Sequence, residues 1–509
     1  MNPDFRKSMI WLHTYSGLVL GWLLFTIFLT GSLSYFNPEI SQWMKPELVK
    51  VTSAQNLTNQ SLEKLHKLAV DADSWRIILP NERTQHWSLQ WNYGRERHNL
   101  SLGANYDQVI TPRDTEGGNF FRIFHHSLQL RGYGGRYIVG VAAMVMLVTV
   151  FSGIFTHRRL FREFFTLRLG KLLKTLTDFH ALAGLVTIPF CIMICSSGIM
   201  IYAIMYIPFS ADHFSGGQRE LSRALSPGLI EIDKNAPSQI PLRDFGVVQR
   251  EIENHWQGNN QIRRITFEKP FSQDGRIVVD RIKNLTISKQ PERLVFSSYD
   301  GKPLQGYVEA SNATRVRRVF FGLHEAHFAD IRLRWLLFLL GLLSSTLIAT
   351  GLIIWLKKRL IKIEKPQLGY FLVERLNIAV IGGLPLAIVA FFLSNRLLPK
   401  LLEDRATLEV QVFFLTWLVC LFLSLFRPAK KAWVELLLAS ALGCYLLPII
   451  DLYQDSERLK DAILGVNSVY LTFALFILFM GFVFMKSACW LRAKDTAYEY
   501  SNNGTKKRC

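Results

Sequence analysis

Two histidines begin long apolar runs in the same way, and as a pair they are candidates for metal ligation. One offset of 167 residues relates four equivalent pairs, which are His13 and His180, Gly17 and Gly184, Gly31 and Gly198, and Tyr35 and Tyr202. Matched spacing over a whole apolar run indicates an internal duplication. The duplication sets two imidazoles at the same depth on two parallel membrane helices. Two such rings, facing each other across a pseudo-symmetric bundle, can bind one haem iron axially.

A second pair of histidines lies at the other end of the apolar bundle. One offset of 198 residues relates His126 and His324, Arg136 and Arg334, and Gly153 and Gly351. His125 competes with His126 as the ligand at this level, and His327 competes with His324. The sequence therefore predicts two levels of paired imidazoles, one near each face of the membrane.

His157 breaks this symmetry, because the second copy has Trp355 at the equivalent position. It is a candidate to replace His13 or His180 as an axial ligand, or to line the entry of an electron donor. Arginines near each level, namely Arg136, Arg334 and Arg158, are candidates to pair with haem propionates. The alternative for each arginine is anchoring at the membrane interface.

Two other interpretations of the histidines stay open. A membrane histidine can serve only as a hydrogen-bonding contact between helices. A zinc site is less well supported, because His324 and His327 form only an i, i+3 pair and the other level has no set of carboxylates around it. Ionisable groups inside a membrane are costly and tend to be functional, which favours ligation.

The composition is that of a polytopic membrane protein. The chain has 509 residues, of which 50% are hydrophobic, and a mean hydropathy of +0.17. Several apolar runs can cross a hydrocarbon core roughly 30 Å thick. The formal charge of +19 is concentrated in short loops between these runs, where it sets topology. This placement argues against a nucleic-acid partner. The six cysteines lie outside the polar insertions, which predicts no disulfides there.

We predict eight spans with both termini in the cytoplasm, because the clusters of lysine and arginine then fall on one side. The predicted spans are residues 9–36, 136–157, 177–207, 333–356, 374–397, 409–426, 431–450 and 463–486. The predicted segments are a first span (1–36), a first outer domain (37–125), a second span with a cytoplasmic loop (126–170), a third span (171–207), a second outer domain (208–325), a fourth span (326–365), a four-helix extension (366–490) and a cytoplasmic tail (491–509).

Each outer segment is predicted to form a small α+β domain. The first has helical spacing over 58–71, followed by alternating strands at 87–91 and 99–102. The second has a helix near 242–255 and strands at 262–267, 276–279 and 294–298. The dipeptide Asp300-Gly301 predicts a tight turn after the last of these strands.

Several electron-transfer chemistries are excluded by missing motifs. The chain has no Cys-x-x-Cys-His motif for covalent haem, and no glycine-rich nucleotide motif follows a strand. The loops on the cytoplasmic side are too short for a nucleotide-binding domain. Electrons must therefore come from another protein or from a quinol.

At these residues the chain resembles the PepSY-associated transmembrane family. The resemblance rests on Leu12-His13 with Gly17, on Thr30-Gly31, on His126-Ser127-Leu128, on Ser152-Gly153 and Thr350-Gly351, and on Asp300-Gly301-Lys302-Pro303-Leu304. It covers about residues 1–360, so spans five to eight fall outside it. The implied fold is a polytopic α-helical membrane protein with a duplicated four-helix haem-binding core, two extracytoplasmic PepSY-like α+β domains and a C-terminal four-helix extension.

The resemblance implies a protein of iron uptake in the bacterial inner membrane. The closest functional analogy is with FoxB-like ferrisiderophore reductases, which carry haem b in the four-span core and reduce siderophore-bound Fe(III) in the periplasm. It implies two haems per chain, with His13, His180, His126 and His324 as the first choice of ligands. Its partners would be a ferric siderophore, membrane lipid, and a cytoplasmic or quinol donor.

Two other functional classes remain as alternatives. One is a non-redox membrane protein whose outer domains bind or regulate a partner. The other is a siderophore or metal transporter, which would need a polar cavity in spans five to eight around Glu374, Glu435 or Asn467.

Overall fold

A computed structural model describes residues 3–48, 57–103, 109–156, 168, 170, 172–206, 237–256, 262–281, 287–289, 292–304, 311–362, 367–455, 460 and 468–505. The chain divides into two compact units. The first comprises Met1–Met44, Asp114–Ser196 and Leu333–Cys509, and the second comprises Lys45–Arg113 and Ser197–Arg332.

The helices follow the apolar pattern of the sequence. In chain order they are α1 (Pro3–Ser34), α2 (Asn37–Trp43), α3 (Leu57–Leu68), α4 (Gly118–Ser127), α5 (Gly135–Thr156), α6 (Leu172–Tyr206), α7 (Gly246–His255), α8 (Asn312–Glu325), α9 (Ile331–Leu360), α10 (Leu368–Leu376), α11 (Gly383–Leu397), α12 (Arg405–Phe426), α13 (Ala429–Gln454) and α14 (Ser468–Thr505). Within the described residues, eight helical segments are long and apolar enough to span a membrane. This confirms the eight predicted spans, with ends that differ by a few residues.

The fifth span is interrupted by one turn of π-helix, Asn377–Gly382, which joins α10 to α11. The indole of Trp22 in α1 donates to the Asn377 side-chain oxygen at 2.9 Å. The indole of Trp417 in α12 donates to the Ala379 carbonyl at 2.9 Å. A π-turn leaves backbone carbonyls out of the regular ladder, and here an indole uses one. The Trp22 bond attaches the extension to the first span, and the Trp417 bond lies within the extension.

Buried charges attach the extension to the chain around α4. Arg405 and Glu409, both in α12 and both fully buried, form an ion pair. The Arg405 guanidinium also donates to the Asp114 carbonyl at 2.8 Å, and the Thr115 hydroxyl donates to Glu409. The Asn395 amide donates to Glu409 at 2.8 Å. Buried charges are tolerated only when they are paired and hydrogen-bonded. The network therefore forms only when α12 lies beside the segment that precedes α4.

Aromatic packing continues the same contact along α4. The ring of Phe120 stacks on Phe391 at 4.7 Å and meets Phe413 edge-on at 4.8 Å between centroids. Phe124, one turn further along α4, contacts Phe413 and Trp417. Such pairs bury large apolar areas in preferred edge or offset geometries. α4 is thus held by α11 and α12 along its apolar side.

The second unit contains one antiparallel sheet to which both insertions contribute. Its strands are β1 (Ser74–Ile78), β2 (Trp87–Tyr93), β3 (Glu96–Leu102), β4 (Val109–Ile110), β5 (Ile262–Glu268), β6 (Arg276–Arg281) and β7 (Arg293–Ser297). Their order is β4-β3-β2-β1-β5-β6-β7. The strands expected in each insertion are confirmed, whereas β1 and β4 were not expected.

The structure corrects the expectation of two separate outer domains. β1 of the first insertion pairs with β5 of the second, with Ile77 opposite Ile265. α3 and α7 contribute Leu62 and Val248 to the same core as these two isoleucines. The physical reason is that each insertion alone would expose the unpaired edge of β1 or β5, and pairing removes both edges.

We expect the two insertions to unfold together. Ile77→Ala removes fully buried methyl groups at the junction and should cost about 2–5 kcal/mol of stability. Hydrogen exchange should then show faster exchange in β6 and β7 as well as in β2 and β3. Asn99→Ala on the exposed part of β3 is the matched control. Loss of protection confined to β1–β4 would contradict a shared sheet.

Candidate functional site

His13 projects from α1 onto the backbone of α5. Its Nδ1 lies 2.8 Å from the Thr149 carbonyl oxygen. A Cβ atom on Gly153, one turn further along α5, would lie 3.0 Å from His13 Cε1. A larger residue at 153 would therefore push the imidazole away. We call this arrangement a histidine seat: a ring over a glycine, with Nδ1 held by a nearby backbone or hydroxyl oxygen.

His180 of α6 occupies the equivalent seat on α9. Its Nδ1 lies 3.0 Å from the Leu347 carbonyl and 3.2 Å from the Thr350 hydroxyl. A Cβ on Gly351 would lie 3.0 Å from His180 Cε1. In both seats the carbonyl belongs to the residue four positions before the glycine. The internal duplication read from the sequence therefore extends to the detailed contacts.

The two seats set the chemistry of the imidazoles. A carbonyl oxygen only accepts hydrogen bonds, so Nδ1 carries the proton and Nε2 the lone pair that a metal needs. A hydrogen bond of this kind to the distal nitrogen is the usual support of a ligating histidine. The His13 and His180 ring centres lie 6.3 Å apart, with an angle of 74° between the planes. Because a metal–imidazole bond is about 2.0 Å long, rings on opposite sides of one metal ion have centres roughly 6 Å apart.

A cavity of about 370 Å³ contains both histidines. This volume lies within the range of ordinary cofactor pockets. Its described lining is apolar over most of its extent, includes Gly17 and Gly184, and has no acidic residue. Trp355, Lys358 and Arg359 line it as well. The two rings, the glycines beside them and the apolar walls fit a flat iron porphyrin held by two axial histidines.

The structure selects His125 rather than His126 for a seat. His125 Nδ1 lies 2.9 Å from the Ile27 carbonyl, and a Cβ on Gly31 would lie 2.7 Å from the same nitrogen. Burial lowers the pKa of His125. His126 points elsewhere, because successive helical residues differ by about 100° in direction. Burial, followed by the charges of Arg122, His125 and Arg136, lowers the pKa of His126 to about 4.

His324 occupies a seat within the second unit. A Cβ on Gly198 would lie 3.1 Å from His324 Cε1, and the Ser197 hydroxyl lies 2.9 Å from Nδ1. The neighbouring candidate His327 instead pairs with Glu325, which also binds Lys289 at 2.7 Å. Burial alone would raise the pKa of Glu325, but the hydrogen bond from His327 and the Lys289 ammonium group lower it to about 2. His327 thus belongs to a hydrogen-bonded network with Glu325 and Lys289.

The arginine candidates fall into three different situations. Arg334 is buried and donates to the Glu39 carboxylate at 2.6 Å, so its guanidinium forms a structural ion pair. Arg136 is exposed at the start of α5. Arg158 and the histidine candidate His157 lie outside the described residues.

Ligand number distinguishes haem iron from zinc. Among the described residues, no group of three His, Cys, Asp or Glu side chains comes together to hold a metal ion. Structural zinc needs four protein ligands and catalytic zinc usually three. A pair of histidines suits an iron whose other four ligands are porphyrin nitrogens.

The sequence interpretation missed the residues at one end of the cavity. Lys358 and Arg359 were read only as part of a cluster that sets topology, and Trp355 only as the equivalent of His157. The available signal was their spacing, since residues 355 and 359 follow Gly351 by one and two helical turns.

We expect Gly153→Val to displace the His13 ring, because the added side chain occupies the space of Cε1. The hydrogen bond to Thr149 should break, and the nitrogen-15 NMR shifts of the His13 ring should change. Gly369→Val is the control, since nothing lies within 4 Å of a Cβ at that helical glycine. Unchanged His13 shifts in the Gly153 variant would refute the seat.

Comparison with known proteins identifies a family. No curated protein matches the chain. The family model described as the PepSY-associated TM region matches residues 10–358, which is more than half of the chain. The match covers the first four spans and both insertions and ends before the extension. The chain therefore belongs to the PepSY-associated TM family.

Proposed function

We propose that the protein binds haem b between His13 and His180 and transfers electrons across the membrane. The observation that carries this proposal is the pair of histidine seats, whose ring centres lie 6.3 Å apart within one cavity. A bound haem supplies reversible one-electron transfer at its iron. Metal binding of another kind is less well supported, because the two imidazoles have no third protein ligand among the described residues.

The residues of the chain would perform three tasks around this cofactor. His13 and His180 would supply the axial nitrogens, in the orientation that their Nδ1 hydrogen bonds to Thr149 and Leu347 maintain. Gly153 and Gly351 leave the space in which those rings lie. The apolar lining would exclude water from the iron, which raises the energetic effect of each nearby charge.

We further propose a second haem at the other level predicted from the sequence. In the first unit His125 lies in a seat over Gly31, and in the second unit His324 lies in a seat over Gly198, so each is a candidate axial ligand. Electron transfer across the membrane would need two cofactors at different depths, because a single haem does not bridge a hydrocarbon core roughly 30 Å thick.

The proposed substrate is a ferric siderophore outside the membrane. The lysine and arginine clusters orient the spans with both termini in the cytoplasm, so both insertions would lie in the periplasm of a bacterial inner membrane. One electron from a cytoplasmic protein or a quinol would convert siderophore-bound Fe(III) to Fe(II). Siderophores hold Fe(II) far more weakly, so the metal would be released.

Transport is a weaker proposal for the extension. Glu435 forms an ion pair with Arg427 at 2.5 Å, and Glu374 lies 3.7 Å from Arg375. Ion pairs of this kind at helix ends are typical of stabilising contacts. Asn467 lies outside the described residues.

We expect the purified protein to show a b-type haem spectrum on reduction. His13→Ala and His180→Ala should each remove one axial ligand and abolish the low-spin signal of the inner haem. His98→Ala, on the outer sheet, is the matched control and should leave both haems in place. A colourless wild-type protein would refute haem binding and favour a non-redox role.

We expect proteoliposomes with a reductant inside to reduce a ferric siderophore outside. Fe(II) should accumulate in an external chelator assay, and His13→Ala should reduce its rate at least tenfold because the electron path is interrupted. Uptake of labelled chelate into the vesicles with no external Fe(II) would indicate transport instead.

A further inference from the structure

We infer that Trp355, Lys358 and Arg359 form a carboxylate-binding end of the cavity that contains His13 and His180. The ligand class is a flat macrocycle with acidic groups on one edge, which for haem are the two propionates. The inference rests on the proposed function, because it assumes that this cavity holds haem. It differs from the sequence interpretation, which assigned the propionates to arginines of the first copy and of the outer level.

The two positive charges at this end of the cavity favour an anionic ligand. Lys358 and Arg359 line the cavity, and none of its described lining residues is acidic. In the described part of the chain, neither cation forms an ion pair with a carboxylate. Two neighbouring cations at the rim of an apolar cavity repel each other. An anionic ligand would relieve this repulsion.

The Arg359 guanidinium is oriented before any ligand binds. Its central carbon lies 4.0 Å from the centre of the Trp355 ring, and Nη1 donates to the Trp355 carbonyl at 3.4 Å. Stacking on an indole restricts a long side chain and leaves other N–H groups of the planar fork for an acceptor. Restriction before binding reduces the entropy cost of binding a carboxylate.

Trp355 supplies a second donor at the same place. Its indole Nε1 is buried, and no hydrogen-bond partner for it lies among the described residues. Buried donors in folded proteins are nearly always paired, so an orphaned one in a cavity wall indicates a missing acceptor. Indole Nε1 only donates, which matches a carboxylate oxygen.

α9 places Trp355 and Arg359 beyond the level of the His180 ring. Gly351 marks the level of the His180 ring, and Trp355 and Arg359 follow it by four and eight residues. With a rise of about 1.5 Å per residue, they lie about 6 Å and about 12 Å further along α9. Both residues therefore lie to one side of the His180 ring and line the same cavity.

The two copies differ in sequence at these positions. The offset of 198 residues sets His157, Leu160 and Phe161 of the first copy at the positions of Trp355, Lys358 and Arg359. Among the described lining residues, both the lysine and the arginine come from α9.

The test compares haem with haem dimethyl ester, which has the same macrocycle and no free carboxylate. Apo-protein is titrated with each ligand, and the affinity is read from the Soret band and from quenching of tryptophan fluorescence. Wild type should bind haem at least about tenfold more tightly than the ester, as expected for charge-assisted hydrogen bonds. Arg359→Gln should lose this preference while its affinity for the ester stays the same.

Matched variants separate this site from general charge effects. Lys357→Gln removes the same charge one residue away, on an exposed position that does not line the cavity, and should keep the preference for haem. Arg359→Lys should restore part of it. Trp355→Phe keeps the ring and removes the N–H, and should weaken haem binding several-fold without affecting the ester.

A lipid headgroup is the other source of an anion near Lys358. Titrations in nanodiscs with and without anionic lipid distinguish the two, because lipid binding would make the preference for haem depend on lipid charge. The inference is overturned if wild type binds haem and its ester equally, or if Lys357→Gln behaves as Arg359→Gln does. Protein that binds neither ligand would refute the proposed function as well, whereas equal binding of both would refute only this site.

Discussion

The hydrogen bond between an imidazole Nδ1 and a backbone carbonyl is the constraint on which the membrane core depends. A helical carbonyl already accepts the amide four residues later, but its second lone pair can accept an imidazole proton. Thr149 and Leu347 use this capacity toward His13 and His180. The bond requires the ring to lie against a helix, and only glycine at 153 or 351 leaves that space. Helix spacing, ring orientation and tautomer therefore follow from one contact.

The extension has a clear structural role in this arrangement. Its buried Arg405 and Glu409 bond to the segment that leads into α4, and its phenylalanines pack along that helix. α4 carries His125, whose ring lies against Gly31 of α1. Spans five to eight thus fix the position of α4, although His125 on that helix belongs to the duplicated core. This explains why a segment outside the family match is so closely packed against it.

The spans and most strands could be predicted because they depend on local periodicity. Residues 262–267 are rich in β-branched and aromatic side chains, which indicates a strand. Residues 378–393 are continuously apolar, which indicates a membrane-spanning helix. The choice between His125 and His126 could not be made, because it depends on the rotation of α4, which distant aromatic contacts determine. The pairing of β1 with β5 also escaped prediction, since a long segment separates these strands and β-register over that distance leaves no local signal. Trp355 was visible in the sequence, but its orphaned N–H depends on the packing around it.

The shared sheet has a consequence for biosynthesis. β1 lies at the centre of the sheet, yet its neighbour β5 begins only at Ile262. A ribosome adding about 5–20 residues per second needs roughly ten seconds or more to reach that point. During this interval the edge of β1 offers unpaired amides and carbonyls to any passing chain, which is a known route to aggregation. The sheet can therefore be completed only after two further apolar helices, α5 and α6, have been synthesised.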